Sequence, residues 1–190
     1  MVAALLSAVG LSATGCGTSS PGDTYSLSAP MVSQGAVAGR GRQLLIADPV
    51  ALKTLDSDGI VIQVSPREYQ YLGDSRWSDS LTKVVQLKLA QAFENSGRVA
   101  GAGLPGEGLA IDYQIQTNIH AFQIDVASNT ATVEIAVRVL NDRHGTVRAR
   151  NVFRSTVNVG GSSNKAYVDA LDRAFSQVSS EIVGWSLKYI

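Results

Sequence analysis

The 190-residue sequence contains one cysteine, two histidines, two tryptophans and four phenylalanines. A single cysteine excludes an internal disulfide framework and any cysteine-rich metal centre. His120 and His144 fall on an expected strand and an expected turn, with no H-E-x-x-H and no second ligand at helical spacing, so no metal is expected. Charge of one sign is lacking too: sixteen basic residues balance sixteen acidic ones. That balance favours neither nucleic acid nor an acidic membrane surface as the main partner. No G-x-S-x-G elbow offers a nucleophile. Gly101-Ala102-Gly103-Leu104-Pro105-Gly106 matches G-x-G-x-x-G, but a helix is expected before it and a strand after it. The phosphate fingerprint needs the reverse, and the Lys-Ser/Thr of a P-loop is missing, so the segment reads as a mobile loop. Asp56 and Asp58 read as turn formers. With no nucleophile, base or metal in sight, neither an enzyme nor a cofactor is expected.

The longest apolar stretch, residues 2–14 (VAALLSAVGLSAT), is uncharged. It falls short of the ~20 apolar residues that span a bilayer and has the size of a signal-peptide h-region. Small residues come next, and Ala13-Thr14-Gly15-Cys16 looks like a lipobox, at which bacterial lipoproteins are cleaved and acylated. Ala13 stands where that box usually has leucine, and the first basic residue is Arg40, which leaves open whether Met1 is the true start. The other reading of Cys16 is an inert thiol on a buried N-terminal helix. The residues after the cysteine favour acylation: 17–23 (GTSSPGD) have the small, polar, Pro-containing composition of a linker. The organisation expected is a removable segment 1–15, a lipidated N-terminus and linker 16–24, and one domain 25–190.

Within that domain, Leu44 to Ile46 and Ile60 to Val64 are short apolar runs bounded by turn residues, as buried strands are. Glu68 to Leu72 can add another. From Ser78 the spacing becomes helical, with Leu81, Val84, Val85, Leu89, Ala92 and Phe93 on one stripe, Ser78 as cap and Gly97 as stop. Three alternating segments come after it. Ile111, Tyr113, Ile115 and Ile119 oppose Asp112, Gln114, Gln116 and Asn118; Ala131, Val133, Ile135, Val137 and Val139 oppose Thr132, Glu134 and Arg138; Val147, Ala149, Phe153 and Val157 oppose Arg148, Arg150 and Arg154. Phe122 falls out of phase with Ile119, which predicts a bulge near His120. Asn141 to Gly145 predicts a hairpin. A second helix runs from Asn164 or Ser163 as cap through Ala170, Phe175 and Val178 to Trp185. The fold class expected is α+β: a mostly antiparallel or mixed sheet with two long helices packed on one face.

Two groups of residues suggest contacts. Tyr69, Tyr71 and Trp77 flank the start of the first helix, where amphipathic rings serve either the core or a partner or lipid. Arg148, Arg150 and Arg154 share one strand face, either simply solvated or set against an anionic partner patch or lipid headgroup.

Tyr25-Ser26-Leu27-Ser28-Ala29-Pro30 after the cysteine, Ile46-Ala47-Asp48-Pro49 before Ile60-Val61-Ile62, Tyr69 to Leu72 leading into Arg76-Trp77-Ser78-Asp79, the helix to Phe93-Glu94-Asn95-Ser96 and the C-terminal Ala166-Tyr167-Val168-Asp169-Ala170-Leu171 together resemble the ABC-type transport auxiliary lipoproteins. The likeness runs from about Cys16 to the end, and its motifs are structural. It implies a non-enzymatic envelope protein, lipidated at Cys16 and facing the periplasm, that works with an MCE-domain protein and ABC transporter subunits in moving lipid. Gly17 after the cysteine resembles the outer-membrane signal of enteric bacteria. A stand-alone lipid-binding lipoprotein, with phospholipid between sheet and helices, and a plug lipoprotein of an outer-membrane barrel are the other readings. Homo-oligomerisation, the cargo and the direction of transport are left open.

Overall fold

The computed structural model describes residues 22–30 and 41–190. The expected signal segment, Cys16 and most of its linker therefore lie outside the described residues, as do residues 31–40.

The sheet is organised around β7 (Tyr113–Asp125), a thirteen-residue strand. Along one edge it pairs antiparallel with β8 (Thr130–Asn141), which pairs antiparallel with β9 (Thr146–Asn158). Along its other edge three short strands succeed one another, all parallel to it: β2 (Gln43–Ile46) beside Tyr113 to Ile115, β3 (Val50–Ala51) beside Asn118 and Ile119, and β4 (Gly59–Ser65) beside Gln123 to Asp125. β4 continues antiparallel to β5 (Glu68–Trp77), and β1 (Asp23–Tyr25) closes that side parallel to β5. β6 (Gly101–Gly103) lies parallel to β2 at the remaining corner. The sheet is mixed and open, with β1 and β9 at opposite edges.

Alternation builds one dry face and one wet face. Ile115, Ile119, Phe122 and Ile124 of β7 and Ala131, Val133, Ile135, Val137 and Val139 of β8 are buried, each large side chain contributing about 1.5–3 kcal/mol relative to exposure. The expected phase change on β7 is present: the register shifts between Ile119 and Ala121, so His120 is the extra residue and Phe122 turns back inward.

Two helices cover the dry face. α1 (Leu81–Asn95) buries Leu81, Val84, Val85, Leu89, Ala92 and Phe93 and packs against β2, β6 and the second helix. Its buried Gln86 donates from Nε2 to the Ile46 carbonyl at 2.9 Å, which fastens helix to sheet without leaving the amide unsatisfied. α2 (Asn164–Ser186) packs across β8 and β9. Ser163 caps it, its hydroxyl accepting from the Ala166 amide at 3.2 Å. Together these elements make the α+β class expected from the periodicities.

Several details differ from the sequence reading. The first helix begins at Leu81 after Ser80, not after Ser78. Ser78 still belongs to the sheet, its amide donating to the Tyr25 carbonyl at 2.7 Å, because β5 runs on to Trp77 to pair with β1. Asp112 is not on the wet face but buried, accepting from Arg143 Nη2 at 2.7 Å and the Gln43 amide at 3.1 Å. Val147 is exposed: β9 carries an extra residue, Arg148, between the pairs Val139 with Ala149 and Leu140 with Val147, and this bulge rotates Val147 outward. The glycine run is not simply a loop, since Gly101 to Gly103 form β6. Gly103 lies under the exposed Leu109 side chain, which a Cβ at this position would push aside.

Candidate functional site: the open face of the sheet

The helices occupy one face of β7, β8 and β9, and the other is open. The strand register arranges its outward side chains in cross-strand rows. From the β8–β9 hairpin end these are Gln114–Leu140–Val147, Gln116–Arg138–Arg150, Asn118–Ala136–Val152, Ala121–Glu134–Arg154 and Gln123–Thr132–Thr156.

Two arginines thus face each other directly across the β8–β9 ladder, where like charges are unfavourable. Two rows away, the Glu134 carboxylate is already engaged. Glu134 gives one oxygen to His120 Nδ1 at 3.1 Å and the other to Arg154 Nη1 at 3.4 Å. Among the described residues no ion pair includes Arg138, Arg148 or Arg150. Ala136, the small residue in the next row, leaves a hollow of about 440 Å³ bounded by Gln116, Asn118, Arg138, Arg150 and Val152. Arg148, on the bulge, lines a neighbouring hollow with Arg138 and Arg150.

The same face continues onto β4 and β5, where it turns aromatic. Tyr69 is 46% and Tyr71 50% exposed. Tyr69 lines a small hollow of about 50 Å³ with Leu52, Val61, His120 and Gln123. Tyr71 is held in place: its hydroxyl donates to the Thr54 carbonyl at 3.2 Å, and its ring covers Gly59, where a Cβ would stand 2.3 Å from Tyr71 Cδ1. Beside this end, Asp56 accepts from the Thr82 hydroxyl at 2.7 Å and from Lys53 Nζ at 3.4 Å. The Thr82 hydroxyl holds its carboxyl below the ordinary value of 3.8. Lys83 does the same for Asp48, at 2.7 Å. Asp56 pins the β3–β4 connection to α1 and Asp48 the β2–β3 connection, and both are structural.

The three aromatic candidates therefore separate. Tyr69 and Tyr71 lie on the open face, whereas Trp77 is 2% exposed and its ring is core, edge-on to Phe122. Cys16 lies outside the described residues. Of the arginine group, Arg150 and Arg154 lie on the open face, Arg154 neutralised and Arg150 not. Sequence reasoning missed Arg138 as their partner, because its meeting with Arg150 depends on the β8–β9 register. Among the described residues no group of three or more His, Cys, Asp and Glu side chains could hold a metal ion. Among them, too, no helix is long and apolar enough to cross a membrane.

The sequence model of the ABC-type transport auxiliary lipoprotein component family matches residues 25–183. The chain belongs to that family. Membership groups it with lipoproteins of the cell envelope that are auxiliary to ABC-type transport. The chain is 28% identical over 176 residues to an uncharacterized protein of Bradyrhizobium diazoefficiens, covering 92% of this chain and 47% of that one, so it spans about half the length of that relative. Among solved structures it is similar to a Xanthomonas campestris protein, with 26% identity, a TM-score of 0.79 and coverage of 88% and 96% of the two chains. A hypothetical protein of Chlamydia trachomatis shares the fold at a TM-score of 0.52 and 11% identity, over 78% and 96%. Within the family match fall both ends of the open face, the tyrosines and the arginines.

Proposed function

We propose that this auxiliary lipoprotein is a non-enzymatic, lipid-anchored component of an MCE-linked ABC transport system that moves lipid across the bacterial envelope. In this reading Cys16 carries the acyl chains after removal of residues 1–15. The segment 16–24 tethers the domain, which faces the periplasm, and the outer membrane is its anchorage. Its partners are an MCE-domain protein and the subunits of the ABC transporter; ATP hydrolysis belongs to the latter.

The observation that carries the reading is the family match over residues 25–183. Two features support it. The lipobox-like Ala13-Thr14-Gly15-Cys16 precedes a Gly- and Ser-containing stretch, and two acyl chains give stable anchoring. The contact between sheet and α2 is filled by Phe122 and Phe175, whose ring centroids lie 6.1 Å apart, which favours a docking component over a carrier with lipid between sheet and helices.

Wild type should incorporate labelled palmitate and sediment with membranes, and Cys16→Ser should do neither. Affinity purification from solubilised membranes should recover an MCE-domain protein and an ABC ATPase. Recovery of neither, from membranes in which both are present, overturns the transport reading; palmitate uptake by Cys16→Ser overturns the anchor.

A further inference from the structure

We infer that the hollow over Ala136 is an oxyanion site that takes the phosphate of an anionic phospholipid headgroup, held between Arg138 and Arg150.

Charge defines the site. Arg138 and Arg150 oppose each other across an antiparallel ladder, a placement that is unfavourable unless something negative lies between or above them. Among the described residues no ion pair includes either guanidinium, and Glu134, two rows away, is shared between His120 and Arg154. Guanidinium forks match the oxygens of a phosphate, and paired forks with amide donors beside them form a strong set of charge-assisted bonds. Gln116 completes the same row, and Asn118 borders the hollow. The space is adequate for a tetrahedral group with bound water, at about 440 Å³.

The neighbouring rows select an amphiphile over a free ion. Val147 and Val152, each 52% exposed, stand on either side of Arg150. A cationic pair flanked by exposed apolar residues matches a phosphate that carries a glyceride, with apolar surface to cover next to the charge. Bare inorganic phosphate would use the arginines and leave the valines wet. A second copy that met this face with its own would bring the same cations against each other. The oxyanion site stands on the geometry; the choice of a lipid as its carrier rests also on the lipid-transport reading.

The test uses the full chain in a nonionic detergent, with backbone amide NMR as readout. It is titrated separately with dihexanoyl phosphatidylglycerol, dihexanoyl phosphatidylcholine and inorganic phosphate. Phosphatidylglycerol should shift the amides of Ala136, Arg138, Arg150 and Val152 saturably, and more tightly than either of the other two. The double variant Arg138→Gln/Arg150→Gln should weaken that binding roughly tenfold or more, while melting no lower than wild type because a like-charge contact is removed. Arg154→Gln, whose charge Glu134 already neutralises, should stay within about twofold of wild type. Unmoved amides, or a double variant that titrates like wild type, overturn the site. Equal binding of phosphatidylglycerol and phosphate, or of phosphatidylglycerol and phosphatidylcholine, overturns the anionic lipid as its ligand. Recovery of transport partners alongside a silent titration would leave the proposed function standing and remove only this site.

Discussion

The indole of Trp77 meets the ring of Phe122 edge-on, at 5.8 Å between centroids and 89° between planes. The contact joins the end of β5 to the middle of β7, and Phe122 passes it on to Phe175 of α2. Truncating the central ring, Phe122→Ala, should cost about 3–5 kcal/mol, measured by urea unfolding. Trp77 emission, short in wavelength in a dry core, should move to longer wavelength in the variant. A loss below about 1 kcal/mol would mean that the site collapses around the missing ring and that the three aromatics are not a unit.

Tyr71 and Gly59 make a second dependence. Gly59→Ala forces the Tyr71 ring to move, since the new Cβ stands 2.3 Å from Cδ1, and should destabilise by about 1–3 kcal/mol. With Tyr71→Ala in place the same glycine change should be nearly neutral. A double-mutant cycle by thermal or urea denaturation reads the coupling. Additive effects would show that the ring and the glycine are independent.

Asp112 gathers Arg143, the Gln43 amide and, at 3.7 Å, Arg42 at the bottom of β2 and β7. Asp112→Ala leaves the part-buried Gln43 amide without its acceptor and should cost about 1–3 kcal/mol. Arg143→Ala, with a side chain largely in water, should cost less. The reverse ranking in chemical denaturation would show that the guanidinium, and not the backbone amide, is what Asp112 serves.

Acid should loosen the connections on either side of β3. Asp56 and Asp48 are held below their ordinary value of 3.8 when folded, Asp56 chiefly by the Thr82 hydroxyl and Asp48 chiefly by Lys83. A depressed carboxyl contributes stability that is fully present above the unfolded value and is lost as pH falls through the folded one. The loss should therefore begin near 3.8 and continue below it, and Asp56→Asn should flatten part of it. Thermal melts of both proteins across that range measure the slope, and parallel curves would exclude Asp56 as a contributor.

Much of the fold was legible because β7, β8 and β9 lie between a helical layer and water, and one-sided burial writes a period of two into sequence. The phase slip between Ile119 and Phe122 was readable for the same reason. β3 and β6 were not, being two and three residues long and taking their partners from distant segments. Trp77 was misplaced toward the helix start because a tryptophan before a serine fits a helix entrance and a strand end equally. The arginine pair was only half visible: Arg150 could be read from alternation, but its opposition to Arg138 depends on a hairpin register that pairing distances and the Arg148 bulge decide together. Cys16 and its anchor stand on sequence alone.

Because β2, β3 and β4 all take a parallel partner from β7, none of them can join the central sheet until residues 113–125 exist. Before then the β4–β5 hairpin can form with β1 along it, and β2 has only the three-residue β6 to pair with. A chain that emerges N-terminus first thus carries only small local sheets for well over half its length. It becomes a folded body only when its middle strand arrives, since distant pairings carry their loop-closure cost before they return any contact.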